Sequence, residues 1–272
     1  MQKLPAALYY KALEALSKIP YNILMARSVA THHADGAVYA DTLETPKTFY
    51  IVHQYGMSYL FGNSSNDAFN QALFSYFQGH TYPRQKDEWL QVFPQHWHTV
   101  MAPLAESGQA IPQTRINFKF DPVKFYERYS QTDTSQYNII PTPVDQQFNI
   151  EGKVVPKNFW KAHSPFLHMA TAFTVMIDGV PASTAFTSAR HDHQLEIGIE
   201  TKPEYHGKGL AYLACAKLIE HCLEHNLEPI WACRANNPAS INLCNKLGFT
   251  ETLRMPYYQI PLGCDKSCTH NS

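Results

Sequence analysis

The segment Ile199-Glu-Thr-Lys-Pro-Glu-Tyr-His-Gly-Lys-Gly-Leu-Ala211 gathers more chemistry-bearing residues than any other stretch of the chain. A strand is expected to end at Thr201, because Pro203 cannot continue its ladder. Gly207 and Gly209 then let the backbone turn tightly and come close to a ligand. A helix should follow, with Ala211, Cys215, Leu218 and Cys222 as one apolar stripe and a stop near Asn226. The unpaired N–H groups at such a helix start, together with the macrodipole, suit phosphate oxygens. Lys208 adds a mobile positive charge at the rim. The turn has neither the Gly-Lys-Ser/Thr of a P-loop nor the third glycine of a dinucleotide fingerprint. Taken alone, two glycines also fit a ligand-free strand-to-helix connection.

Carboxylates stand just before this turn. In Leu195-Glu-Ile-Gly-Ile-Glu-Thr201 the residues alternate, so Glu196 and Glu200 share one strand face either side of Gly198. Leu195, Ile197 and Ile199 take the other face, toward a core. A carboxylate in a partly dry cleft has its pKa raised toward that of a useful base, so both are candidate general bases. Tyr257 and Tyr258 alternate on the last strand, and one of them should face a cleft as a candidate acid. The 14 histidines form no metal-ligand pattern: Arg190-His-Asp-His193, His32–His33 and His96-Trp-His98 lack further spaced ligands, so no metal is expected. Cys264-x-x-x-Cys268 lies in a polar tail and reads as a frayed terminus.

These residues need a scaffold, and the chain is long enough for one. Its 272 residues carry 22 Lys+Arg against 23 Asp+Glu, a net charge of -1, and 44% of them are hydrophobic. The near-neutral balance provides no basic field for nucleic acid or an anionic membrane. No apolar run approaches the roughly 20 residues of a spanning helix. The dispersed cysteines point to a reduced, cytoplasmic protein. An α+β (mixed α/β) fold is expected. Pro5–Ser17 has helical spacing, Thr48–Val52 and Met57–Phe61 read as strands, and Ser64–Asn66 caps a helix carrying Phe69, Leu73 and Phe77. Asp121–Pro122 opens a further helix, and Asp178–Gly179 marks a hairpin. The polar stretch Ser130–Ser135 suggests a boundary between a domain of residues 1–129 and one of 130–272. The first lacks any Gly-x-Gly turn, and its many aromatics suit a wall of the acceptor cleft.

Glu196–Thr201 with Pro203–Ala211, followed by Asn237-Asn-Pro-Ala-Ser-Ile-Asn-Leu-Cys-Asn-Lys-Leu-Gly-Phe249, resembles motifs A and B of the GNAT acyltransferase superfamily. Pro229-Ile-Trp-Ala-Cys-Arg234 and the Asn-x-x-Ser helix are most similar to the zwittermicin A resistance type. The resemblance covers about residues 137–260. It implies a GNAT fold in the second half, with a degenerate half of that fold before it, and acetyl-CoA as acyl donor. It further implies a small amine, such as an amino-bearing antibiotic or metabolite, as acceptor in a ternary complex. By resemblance, Ile199, Glu200 and Thr201 would pair with pantetheine. His206, Gly207, Lys208, Gly209, Leu210 and Ala211 would hold the pyrophosphate, and Asn237 and Ser240 the pantetheine side. Glu196 matches the superfamily's strand glutamate. His206 replaces the signature's Arg or Gln, and Cys244 stands where many members have a Tyr general acid, so Cys244 and Tyr257 are the candidate acids. A binding or regulatory module, or transfer to a protein or aminoacyl acceptor, are the other readings of the same motifs.

Overall fold

Two successive runs of strand, strand, strand, helix, strand, helix, strand account for most of the chain in the computed structural model, which describes residues 1–161 and 165–263. The Cys264/Cys268 pair lies outside the described residues. The fold is mixed α/β, as its sequence pattern implies. Two compact units can be separated. One comprises residues 1–31, 35–114 and the chain from 256; the other comprises 32–34 and 115–255. The boundary anticipated at 129/130 falls inside the second unit, because the strand and helix before it belong there.

In the first unit, β1 (Gln2–Lys3), α1 (Leu13–Leu16) and α2 (Leu24–Ala30) precede β2 (Gly36–Ala40), β3 (Thr48–His53) and β4 (Met57–Gly62). The stretch read as a helix over Pro5–Ser17 is mostly a 3-10 helix, Ala6–Ala12, that becomes α1, and no side chain caps its start. Neighbouring strands from β1 to β4 are antiparallel. β5 (Glu88–Phe93) then runs parallel to β4, which demands a crossover. α3 (Asp67–Phe77) supplies it. Asn66 caps α3 by accepting the Phe69 N–H at 3.1 Å, and Phe69, Leu73, Tyr76 and Phe77 bury its inner side against Tyr50, Leu60 and Leu90. α4 (Trp97–Glu106) adds Trp97 and Met101 to the same core.

β6 (Ile111–Phe120) passes at Arg115 into the second unit, where α5 (Pro122–Tyr129) is capped by Asp121 through the Val123 and Lys124 N–H groups. β7 (Asn138–Pro141), α6 (Val144–Gln147), β8 (Ala172–Ile177), β9 (Val180–His191) and β10 (Gln194–Thr201) follow. Asp178 and Gly179, both with positive φ, make the β8–β9 hairpin turn. α7 (Leu210–Glu224) crosses over to β11 (Glu228–Arg234), parallel to β10, and α8 (Pro238–Lys246) leads to β12 (Phe249–Ile260). Asn226, with positive φ, follows the end of α7. The core of this unit joins Leu210, Leu213, Cys215, Leu218 and Cys222 of α7 to Leu195, Ile197, Val175 and Trp231 of the sheet. Among the described residues no helix is long and apolar enough to cross a membrane.

Connectivity at the two long strands is exchanged. Residues 115–118 of β6, from the first run, pair with β11 in the second unit. Residues 258–260 of β12, from the second run, pair with β5 in the first. The first unit fastens that returning strand with a buried cation. Arg84 donates to the carbonyls of Phe77, Ile260 and Pro261 at 2.9, 2.5 and 3.0 Å and to Glu88 Oε1 at 3.2 Å. The Tyr50 and Tyr76 hydroxyls also donate to the Glu88 carboxylate. Burial pushes the Glu88 carboxyl well above the usual carboxylate range, so its partners are what keep it tolerable there. Replacing Arg84 by Met is expected to cost about 3–5 kcal/mol by stranding Glu88. Urea denaturation checks this, and adding Glu88→Gln should recover part of the loss.

Candidate functional site

β10 pairs with β9 along its whole length but with β11 at three positions only, Gln194↔Glu228, Leu195↔Pro229 and Glu196↔Ile230. From Trp231 onward β11 keeps register with β6 on its other edge. Beyond Glu196, then, the β11-facing edge of β10 has no strand partner among the described residues. The parting coincides with a register shift between β9 and β10 at Glu196/Ile197. Ala189 stands opposite Glu196 and Thr187 opposite Ile197, so Ser188 is the extra residue, and its hydroxyl donates to the Glu196 carbonyl at 3.0 Å. Half of the N–H and C=O groups of Ile197–Thr201 point to the open edge, where a polar extended chain could pair with them.

Glu196 sits at the vertex. It is 4% exposed, and its Oε1 lies 3.9 Å from Arg115 Nη2 of β6. Leu195 and Ile197 enter the core under α7, as the alternation requires. Glu200 differs from the expectation of a second carboxylate facing a cleft. Its Oε2 accepts the Val154 N–H at 2.7 Å, and Gly152 lies so close that a Cβ there would come 2.5 Å from the Glu200 carboxyl carbon. This carboxylate secures the 152–154 backbone, a role no local sequence signal announces. Between the two, Gly198 is covered by the Phe186 ring, which itself packs against Phe159 and Trp160.

After Thr201 the chain forms the glycine turn. Gly207 and Gly209 both have φ of 77°, and a Cβ at either would meet nothing within 4 Å. The space above the turn is open, and glycine is needed for backbone conformation rather than for room. His206 donates through Nε2 to the Thr201 carbonyl at 2.8 Å, tying the turn to the strand end. Lys208 Nζ lies 5.0 Å from the Tyr205 ring centroid. α7 begins at Leu210, which is buried and anchors the helix, with Ala211 half-buried beside it; no side chain caps its first N–H groups. Ile199 packs at the edge of the core, and the Thr201 hydroxyl hydrogen-bonds that of Ser183 at 2.7 Å.

Four of the expected site side chains have internal partners or interior positions. Asn237 Oδ1 and Ser240 are engaged internally: Asn237 caps α8 through the Ser240 N–H, and the Ser240 hydroxyl accepts Trp231 Nε1–H at 3.0 Å. Asn237 keeps its NH2 group and the second lone pair of Oδ1 to offer a ligand. Cys244 is wholly buried, donates to the Ile241 carbonyl and has its thiol pushed up to about 12 by burial, the surroundings of a core-packing thiol. Tyr257 is 1% exposed with its ring 5.9 Å from that of Trp89 in the first unit, an interior position. Its neighbour Tyr258 is also buried and shares a hydrogen bond with His98 Nδ1 at 2.8 Å.

A family model for GNAT acetyltransferases matches residues 14–258. The chain belongs to this family. Among curated proteins, an uncharacterized N-acetyltransferase of Bacillus subtilis, YdfB, is 24% identical over 249 residues, 92% of this chain and 95% of the relative. Two solved structures share the fold. One is a GCN5-related N-acetyltransferase-like protein from Streptococcus suis, with a TM-score of 0.69 at 19% identity over 93% of this chain and 98% of that one. The other is a tandem GNAT protein from the clavulanic acid biosynthesis pathway, with a TM-score of 0.62 at 11% identity over 96% and 98%. The match extends well before residue 137, so the first run of this GNAT chain is part of the family architecture as well. Arg115 escaped sequence reasoning. It sits about 80 residues before Glu196 in a strand with no motif, and only the exchange of β6 into the second unit brings it there. The packing over β10 gives a check. Gly198→Ala should destabilise by about 1–3 kcal/mol, since the new methyl would lie 2.4 Å from Phe186 Cζ. Adding Phe186→Leu should restore part of it in thermal melts.

Proposed function

We propose that this GNAT chain moves the acetyl group of acetyl-CoA to a primary amine of a small molecule by direct transfer in a ternary complex. The observation that carries the reading is the continuity of the β10 edge with the uncapped start of α7. The donor's pantetheine arm is an extended diamide that can add to a strand edge as a further strand. Its diphosphate then falls to the glycine turn, where free N–H groups and the helix dipole favour anions. The open space above Gly207 and Gly209 fits this use.

In the reaction, the amine nitrogen attacks the thioester carbonyl carbon, the C–S bond breaks, and CoA leaves as a thiolate. A backbone N–H on the open edge of β10 can polarise the carbonyl as negative charge develops on its oxygen. The amine must shed one proton, and Glu196 is the carboxylate at the vertex best placed to take it, directly or through a water. Arg115 pairs with that carboxylate at 3.9 Å. Glu200 acts at one remove, by holding residues 152–154 over the strand. An amino-bearing antibiotic or metabolite is the acceptor class proposed. A second reading, an acyl-CoA-binding regulatory module, is favoured by the burial of Cys244 and Tyr257.

Two measurements separate these. Calorimetric titration with acetyl-CoA should show micromolar binding, about −8 kcal/mol, that is lost in Gly209→Glu, where a carboxylate replaces the open space at the turn. An amine-library screen should then find turnover, and Glu196→Gln should lower kcat by about 10²–10⁴-fold while leaving the acetyl-CoA affinity intact. Binding without turnover on any amine would transfer the assignment to the regulatory module.

A further inference from the structure

A guanidinium stays charged at any physiological pH and presents its N–H donors in a rigid planar fork. Arg115 carries one into the interior of the second unit, where it is 6% exposed. Its strand neighbours Ile116 and Phe118 enter the core with α7, so Arg115 and Asn117 take the opposite face of β6. Among the described residues the Arg115 Nε–H has no hydrogen-bond partner. Its ion pair there, from Nη2 to Glu196 Oε1, spans 3.9 Å, which is longer than a hydrogen bond. A buried charge held so loosely is costly, and such a group calls for an acceptor. The neighbouring strand adds to the demand. β11 sets Arg234 directly opposite Arg115, and like charges in that position repel. Of the β10 carboxylates on this face, Glu200 is committed to the Val154 N–H and Glu196 stands off at 3.9 Å. Between Arg115 and β10, the strand β11 gives this face the small residue Ala232, half-buried and opposite Asn117.

The natural complement of this fork is a carboxylate, which accepts two parallel N–H bonds from one guanidinium. We infer that Arg115 is a specificity-determining residue that binds a carboxylate of the acceptor, and that the acceptor is an α- or β-amino acid. The two side chains read such a molecule from both ends: Arg115 takes the carboxylate and Glu196 meets the amine. The short spacing of amine and carboxylate in these compounds matches the 3.9 Å between the two protein groups. An amine without the carboxylate leaves the buried guanidinium unpaired, which is how a polar site rejects an analogue. The bond chemistry is that already given. The C–N bond forms, the C–S bond breaks, CoA leaves as the thiolate and the amine proton passes to Glu196, so the product is an N-acetyl amino acid. This inference rests on the acetyl-transfer reading and deepens it by naming the second functional group of the acceptor.

Thiol release from acetyl-CoA by the full chain tests it, with a panel of α- and β-amino acids, each beside its carboxamide and its decarboxylated amine. At least one amino acid should exceed both of its analogues in kcat/KM by about 10–100-fold, the scale of a charge-assisted contact, and chiefly through KM. Arg115→Lys keeps the charge but loses the fork, and should cut that acid-to-carboxamide ratio by about tenfold. A purely structural role would lower turnover of acid and carboxamide together and leave the ratio where it was. If amines turn over with no advantage from the carboxylate, or if Arg115→Lys preserves the ratio, the inference is overturned while the acetyl-transfer reading stands. If acetyl-CoA binds and no amine turns over, that reading fails and this one with it. The ratio in the unaltered chain decides the matter even where Arg115→Lys does not fold.

Discussion

The arrangement at the candidate site depends on where β10 ceases to pair with β11. A buried strand edge without hydrogen-bond partners is costly, so a sheet parts only where each strand keeps a partner on its other side. Here β10 keeps β9 to its end and β11 keeps β6. The extra residue at Ser188 increases the local twist at the point of parting. Arg115 and Glu196 stand on β6 and β10, either side of β11, and approach each other at the vertex. A buried ion pair contributes little net stability, yet breaking it is expensive. It therefore serves better as a spacer that holds a geometry than as a source of folding energy. The open edge and the place of the carboxylate at its start follow from that one divergence.

The two runs of the fold share strand order and sense: β2, β3, β4 and β5 in the first, β8, β9, β10 and β11 in the second, each with a parallel final pair and a crossover helix. They differ at the helix start. In the first, Asn66 caps α3, and its amide approaches the Asp41 carboxylate at 3.4 Å, so a negative group of the chain itself already sits beside the helix N-terminus. In the second, Gly209 leaves the first N–H groups of α7 uncapped by any side chain. An uncapped helix start lacks about 1 kcal/mol that an Asn, Ser or Asp cap would supply. The same topology is thus closed at one helix start and left receptive at the other, and a few residues decide which.

Sequence reasoning reached the second run far better than the first, for physical reasons. The alternation of Leu195–Thr201, the Asp178–Gly179 hairpin and the paired glycines are local signals, each imposed by backbone geometry within a few residues. Residues 80–112 carry Pro, Trp and His without a clean period, and they hold β5 and α4, whose type is set by partners far along the chain. The exchange of β6 and β12 is invisible locally, because nothing in a strand's own pattern states which edge it joins; the 129/130 boundary missed for that reason. At the site, the alternation predicts Glu196 and Glu200 on one face. A strand's alternation says nothing about what lies over that face, where Val154 and Gly152 engage Glu200. Cys244 is a candidate by its position in a motif and Tyr257 by the alternation of the last strand, whereas burial is fixed by the packed whole.

The interior placement of Cys244 and Tyr257 bears on how the proposed transfer would finish. Expelling an alkoxide requires an acid, because its conjugate acid is far too weak to leave unaided near neutral pH. A thiolate is different: an ordinary thiol has a pKa of about 8.5, so the departing sulfur is stable enough to leave as the anion and to take its proton from water afterwards. The demanding proton is the one on the attacking amine, whose loss accompanies formation of the amide, and that demand falls on the vertex where β10 and β11 part. A carboxylate base without a dedicated acid is therefore chemically sufficient for thioester aminolysis. Expelling an oxygen leaving group would need an acid as well.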